Sequence, residues 1–448
     1  MSDRLDWLLA LHIQDPKVLT TGYICGAMAL FFTAFRRQRR WIRVALVASA
    51  IGAIVGAVMI WLAEGPLDVT GVPLLWSARL WIVGCFAALG VSVAAAWRAA
   101  WWRRLLTVPA AALLISASAL GVNAVYGVNQ SVAAVLGRSS GTEIALPSTS
   151  SAGPTETGNP RSRQPSRHSP PAPLALTWRA PPDMPAGGRV GTKVIRGTVS
   201  GFAARPAGIY LPPAALVPDS PPLPVVVFMF GQPGSPDAFL ARSALDNLAR
   251  HHQGLAPIVV IADQLGNPRQ DTLCLNTAKF GNVETYINTD VVSWIKQNLN
   301  VSTARSAWTV AGYSNGALCA VSFAAKHPEI WGNVISVSGE AFAGYERQPQ
   351  TLADIFHGDQ AAYDAEKPVN LLANRTYADT HAYFSYGSND SFFGPGQEQV
   401  ASQARRAGIN VTVNIIPDGG HVDPALTQGN AAAMAWLYPR LGLDVPSS

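Results

Sequence analysis

The sequence predicts a two-part protein: four apolar membrane-crossing helices, then an α/β domain whose mostly parallel sheet is covered by helices on both faces. Three observations carry this. The chain is 49% hydrophobic and only 14% charged, against ~25% charged in an average soluble domain. The apolar excess falls in four long runs before about residue 127. Beyond about residue 186, short β-branched runs alternate with amphipathic stretches, the pattern of a parallel sheet built from strand–helix units. A length of 448 residues leaves room for two or three domains at ~150 residues each.

Composition excludes several classes. The 13 Trp, 15 Phe and 11 Tyr supply ample core, so the chain is not disordered throughout, and four Cys are too few for a disulfide-dense scaffold. The net charge of +5 hides an asymmetry: residues 1–185 carry 16 Lys and Arg against 8 acidic residues, and residues 186–448 carry 17 against 20. The basic excess lies between apolar runs rather than on a folded basic face, so no nucleic-acid partner is expected.

The apolar runs cover about 18–35, 42–63, 77–97 and 105–127. Each approaches the ~20 residues that carry a helix across a ~30 Å hydrocarbon core, and a helix satisfies its own backbone there. Trp41, Trp61, Trp76, Trp97, Trp101 and Trp102 stand near the run ends, where interfacial aromatics collect. Arg36, Arg37, Arg39, Arg40 and Arg43 follow the first run, and Arg98, Arg103 and Arg104 follow the third. The positive-inside rule puts both loops in the cytoplasm. The N-terminus, the 64–76 loop with Glu64 and Asp68, and everything after residue 128 then face outward. The first 17 residues do not read as a signal peptide, because Asp3 and Asp6 precede a short apolar stretch. Cys25 and Cys85 read as small hydrophobes within the runs. The expected organisation is a transmembrane anchor over 1–137, a Pro- and Ser-rich solvated tether over 138–185, and the α/β domain over 186–448.

Within the last part, 189–199, 207–212, 224–230, 256–263, 306–312, 333–339, 380–387 and 409–416 read as strands. Residues 236–252, 283–299, 315–327, 396–407 and 424–441 read as helices, and 340–378 as an irregular insertion or cap.

Gly312-Tyr313-Ser314-Asn315-Gly316 matches G-x-S-x-G. Gly137-Arg138-Ser139-Ser140-Gly141 matches it equally well but opens the tether. Only the first lies between an apolar strand and a helix. That context lifts Ser314 onto a sharp turn at the sheet edge and aims helix-start N–H groups at a nearby oxyanion. A serine hydroxyl needs a base, and the base an orienting acid. These should follow on later strands, acid first. Asp390, after the strand 380–387, is the expected acid, and His421, after 409–416, the expected base. Asp418 is the nearest competitor to Asp390, though it reads as a turn former, and Glu398 is a more distant one. The remaining histidines read as surface residues. The N–H of Asn315 and, from the loop FGQPGS, that of Gln232 are the expected oxyanion donors. Cys274 and Cys319 are expected to form a disulfide, an outward-facing domain permitting one; two free thiols is the alternative.

The stretches GIYLPP, VVVFMFGQPG, AGYSNGA, YGSND and DGGH, over about 190–442, resemble the α/β-hydrolase esterases, a family that includes esterase D-like enzymes and the antigen 85 mycolyltransferases. DTLC, NVETYINTDV and GYSNGALCA are similar to membrane-anchored actinobacterial esterases. The resemblance implies a serine ester hydrolase with a Ser–His–Asp triad and no metal or organic cofactor. It departs at GQPG, where many members have His-Gly or Asp-Gly, and at Asn315. The residues and the resemblance together predict an outward-facing, multi-pass membrane esterase. Its substrate would be an acyl ester of a lipid or of the cell envelope, and residues 18–127 would contact the bilayer. Two alternatives stay open: an acyltransferase acting on an envelope glycan or lipid, and a non-catalytic sensor or scaffold.

Overall fold

The computed structural model describes residues 11–36, 39–67, 74–97, 99–126, 131–135, 142–147, 172–268 and 270–444. Arg37, Asp68, Arg98, the second G-x-S-x-G match at 137–141 and the middle of the expected tether lie outside the described residues. The chain divides into two compact units, Met1–Leu136 and Gly137–Ser448.

The first unit contains α1 (Pro16–Ala34), α2 (Arg39–Glu64), α3 (Trp76–Trp97) and α4 (Trp101–Tyr126). All four are long and apolar enough to cross a membrane. Large side chains such as Phe31, Leu46, Ile54, Trp97 and Val108 are exposed on their outer faces, as lipid-facing positions would be. Where α2 meets α3 the backbones approach closely: a Cβ on Gly52 would strike the Phe86 carbonyl, and one on Gly90 the Ala48 carbonyl. Arg79 makes a two-pronged pair with Glu64, Nε to Oε1 at 3.1 Å and Nη2 to Oε2 at 2.9 Å.

The second unit is built on eight strands: β1 (Arg189–Lys193), β2 (Ala207–Leu211), β3 (Val225–Met229), β4 (Ile258–Ile261), β5 (Trp308–Tyr313), β6 (Asn333–Val337), β7 (His381–Gly387) and β8 (Asn410–Ile416). Their order across the sheet is β1-β2-β4-β3-β5-β6-β7-β8. β1 and β2 pair antiparallel, as do β2 and β4. All later neighbours are parallel. β3, β5 and β6 are buried along their whole length, as strands covered on both faces must be. Residue registers such as Met229 opposite Gly312 and Val337 opposite Ser385 align the C-terminal ends of β3, β5, β6 and β7. In an open parallel sheet, sites form at that edge. This is the α/β-hydrolase arrangement the sequence predicts.

The covering helices are α5 (Phe239–His251), the helical run Val283–Asn298, α6 (Asn315–Lys326), α7 (Gly394–Arg406) and α8 (Ala425–Arg440). Between β6 and β7 the chain makes three short helices, Gln348–Asp354, Gln360–Ala365 and Pro368–Ala373. The segment 340–378 is thus a helical insertion.

Three expectations need correction. The run 189–199 stops as a strand at Lys193, because Asp290 accepts from the Thr198 hydroxyl and the N–H groups of Val199 and Ser200 and folds that stretch into a turn. Both ends of the expected tether are anchored to the second unit rather than free in solvent. The Ile144 N–H donates to the Thr192 carbonyl, and Ile144 is buried beside β1. Leu174 and Trp178 pack on the core, and the Trp178 indole donates to the Gln253 carbonyl. Apolar side chains inside a polar stretch anchor both ends. Finally, 283–299 contains a wide π-helical segment at Tyr286–Val291.

Candidate active site

The site starts at the turn from β5 to α6. Ser314 has φ 53° and ψ −120°, a conformation a side chain adopts only when its surroundings impose it. Here they do. A Cβ on Gly312 would strike Gly316, and one on Gly316 would strike the Met229 carbonyl, so only glycines allow the turn to close. The Ser314 N–H donates to the Val337 carbonyl at 2.9 Å, tying the turn to β6. Asn315 and Gly316 open α6, and first-turn N–H groups lack intrahelical partners.

Asp390 and His421 come from the loops after β7 and β8. These loops are laced together: Asn389 N–H donates to the Gly419 carbonyl at 2.8 Å, and Ser388 N–H to the Ile416 carbonyl at 2.9 Å. A Cβ on Gly387 would strike the Gly419 carbonyl. The result brings the three expected side chains into one line. His421 Nε2 lies 2.9 Å from Ser314 Oγ, and His421 Nδ1 lies 2.9 Å from Asp390 Oδ2. The other Asp390 oxygen accepts the Phe393 N–H at 3.0 Å. A carboxylate can only accept, so Nδ1 carries the imidazole proton and Nε2 is free to accept from the serine. Phe393 lies tilted against the His421 ring with centroids 4.1 Å apart, and Tyr313 flanks it at 5.5 Å. The Tyr313 hydroxyl donates to the His421 carbonyl. Burial, then the charges of Asp390 and Asp423, push the Tyr313 hydroxyl well above its ordinary range, so it stays a neutral donor.

The competing acids lie elsewhere. Asp418 is an exposed turn residue with φ 57°. Glu398 accepts from the Tyr386 hydroxyl and pairs with Arg405. The loop after β3 passes beside the serine: a Cβ on Gly231 would lie 2.9 Å from Ser314 Cβ. Gln232 follows Gly231 at that close approach. Cys274 and Cys319 are bridged, their Cα atoms 5.1 Å apart. Among the described residues, no group of three or more His, Cys, Asp or Glu side chains could hold a metal ion.

Sequence reasoning missed a polar group beneath the turn. The Asn315 side chain is buried; its Nδ2 donates to Asp271 Oδ1 at 2.9 Å and its Oδ1 accepts from Gln264 Nε2 at 3.1 Å. Burial, then the charges of Asp271 and Glu346, raises the buried Glu340 carboxyl well above the usual carboxylate range, against a hydrogen bond from Asn315. Burial likewise raises Asp271, against donors from Leu273 and Asn315. Asp271, Gln264 and Glu340 sit in irregular segments, where no periodicity flags them. The one available signal is Asp271 standing three residues before the bridged Cys274.

The sequence model of the family described as "Putative esterase" matches residues 203–423. That match covers just under half of the chain. Ser314, Asp390 and His421 all lie within the matched segment. A protein of uncharacterised function from Corynebacterium glutamicum is 32% identical over 258 residues, covering 55% of this chain and 60% of that protein. The match therefore spans about three fifths of that relative's length. The S-formylglutathione hydrolase of Agrobacterium tumefaciens is similar at 18% identity and TM-score 0.48, over 58% of this chain and 98% of that one. The fluorophosphonate-binding serine hydrolase F of Staphylococcus aureus is similar at 16% identity and TM-score 0.45, over 56% and 98%.

Proposed function

We propose that the protein is a membrane-anchored serine esterase whose esterase domain faces away from the cytoplasm. The observation that carries the chemistry is the unbroken line Ser314 Oγ, His421 Nε2, His421 Nδ1, Asp390 Oδ2, with 2.9 Å at both hydrogen bonds. Ser314 Oγ attacks the ester carbonyl while His421 Nε2 takes its proton, and Asp390 stabilises the imidazolium. The tetrahedral oxyanion is held by the N–H of Asn315 and by a donor from the 231–234 loop, for which Gln232 is the candidate. His421 returns the proton to the leaving alkoxide, giving an alcohol and an acyl-Ser314. A water then attacks, passes its proton through His421, and releases the acid.

Two features support the outward placement. An even number of spanning helices puts the N-terminus and the esterase domain on one side, and the arginine-rich loops fall on the other, the cytoplasmic side by the positive-inside rule. Arg79, near the 64–76 loop, is neutralised by Glu64, which leaves that loop without a competing positive charge. The Cys274–Cys319 bridge fits an oxidising compartment. The anchor favours a substrate presented at the bilayer or envelope. An exposed Phe392 packs edge-on against Phe393, itself packed against His421, and it gives an apolar acyl chain a surface to lie on. The test is hydrolysis of short-chain p-nitrophenyl esters by the solubilised full chain. The reading expects turnover that vanishes in Ser314→Ala; retained turnover in that variant defeats it.

A further inference from the structure

The two oxyanion donors named above come from different segments, Asn315 from the start of α6 and Gln232 from the loop after β3. A hole built from two segments holds its shape only if something sets the distance between them. Gln264, buried just past the end of β4, reaches both. Its Nε2 donates to the Phe230 carbonyl on one side and to Asn315 Oδ1, 3.1 Å away, on the other. The directions of both amides follow from their partners. Asp271 Oδ1 accepts from Asn315 Nδ2 at 2.9 Å, so Asn315 Oδ1 is the end that faces Gln264. Gln264 thus meets two acceptors, and its NH2 group gives one proton to each. Gln264 is itself held: its own carbonyl accepts from the Thr272 hydroxyl at 2.7 Å. The residue before it, Asp263, accepts from Arg205 Nη2 at 2.7 Å, and the same Nη2 donates to the Gly234 carbonyl at 3.0 Å. The loop that carries Gln232 is therefore tied at Phe230 by Gln264 and at Gly234 by Asp263 through Arg205.

We propose that Gln264 is a positioning residue that sets the width of the oxyanion hole, its one amide group bridging the segment that offers the Gln232 N–H and the residue that offers the Asn315 N–H. This rests on the esterase reading above. Gln264 acts through these two backbone segments rather than on the substrate. Phe230 stands two residues before Gln232, and the other contact is to the side chain of Asn315 itself, so a shift at either end moves a donor. Hydrogen bonds to the oxyanion form fully only in the transition state, so a misplaced donor costs turnover rather than substrate binding. The bridge also gives the side chain at position 315 a task, because an apolar residue there would leave Gln264 nothing to hold on that side.

The experiment measures kcat and KM for p-nitrophenyl butyrate, and Ki for an alkyl trifluoromethyl ketone, on the solubilised full chain. The proteins are wild type, Gln264→Met, Gln264→Asn, Asn315→Leu and the double variant Gln264→Met with Asn315→Leu. The ketone adds Ser314 Oγ to its carbonyl carbon while the serine proton passes to His421, so it forms the oxyanion with no leaving group. Gln264→Met keeps the length of the side chain and removes both donors. Its kcat falls roughly tenfold to hundredfold, at or below the cost of deleting one donor outright. KM stays within about threefold, and Ki rises by about the factor that kcat loses. Gln264→Asn, too short to reach both acceptors, loses less. Asn315→Leu keeps its backbone N–H and cuts the same bridge from the other end. The double variant therefore falls no more than about threefold below the worse single variant, where independent effects would multiply. Thermal midpoints separate these effects from misfolding; a Gln264→Met that does not fold leaves Gln264→Asn and Asn315→Leu to decide by the same readings. A folded variant that loses stability but keeps wild-type kcat and Ki, or losses that multiply in the double variant, overturns the proposal. Activity surviving Ser314→Ala would instead overturn the esterase reading beneath it.

Discussion

Replacing Asp390 with Asn tests the proton logic of the site at the cost of a single atom. The two Asp390 oxygens have different partners: one accepts the Phe393 N–H at 3.0 Å, the other faces His421 Nδ1 at 2.9 Å. An asparagine has one oxygen to offer. The Phe393 N–H is fixed by the backbone and needs an acceptor, so the amide oxygen goes there and the NH2 group turns to His421. That group donates, so Nδ1 must become an acceptor and the imidazole proton must move to Nε2. Nε2 faces Ser314 Oγ at 2.9 Å and can then no longer take the serine proton. In the serine-protease triad the same wrong tautomer lowers kcat by about 10⁴, or ~5.5 kcal/mol of barrier. We expect a loss of that order in Asp390→Asn, with KM changed by no more than about threefold, because the substitution leaves substrate contacts in place. The assay is steady-state hydrolysis of p-nitrophenyl butyrate by the solubilised full chain, paired with circular dichroism to show retained fold. A loss below tenfold would refute the reasoning and reopen Asp418 or Glu398 as the acid.

Other predictions follow from packing and topology. Removing the Cys274–Cys319 bridge in the double alanine variant frees a span of 45 residues. On the loop-entropy model that costs the esterase domain about 4 kcal/mol, read as a lower urea midpoint by pulse proteolysis; an unchanged midpoint contradicts it. Gly231→Ala brings a methyl group to 2.9 Å from Ser314 Cβ. It should lower kcat at least tenfold by displacing the nucleophile, while far-ultraviolet dichroism stays as in wild type. Trypsin added to intact cells should cleave the chain and release the esterase domain. Full protection until the membrane is breached would reverse the orientation.

Much of this site could be read in the residues because its chemistry obeys chain-order and local rules. The G-x-S-x-G turn shows itself through an apolar strand ahead of it and a helix behind it, and the later strands place Asp390 and His421 in turn. The parallel sheet is legible because β3, β5 and β6 are short, wholly buried apolar runs. What escaped depends on contacts between distant segments. The strand expected over 189–199 ends early because Asp290, some ninety residues away, captures the 198–200 backbone. Ile144 and Trp178 read as part of a solvated tether, since one apolar residue in a polar stretch carries no period. Asp271 and Gln264 reach Asn315 from an irregular loop, and only the folded sheet edge brings them together.

The central claim is that Ser314 is an activated nucleophile. The most direct measurement treats membranes holding the full chain with a fluorophosphonate probe and maps the adduct by peptide mass spectrometry. The account predicts one adduct, on Ser314, absent from Ser314→Ala and formed far more slowly in His421→Ala. An adduct on another serine, or a folded wild type that never reacts, would contradict it.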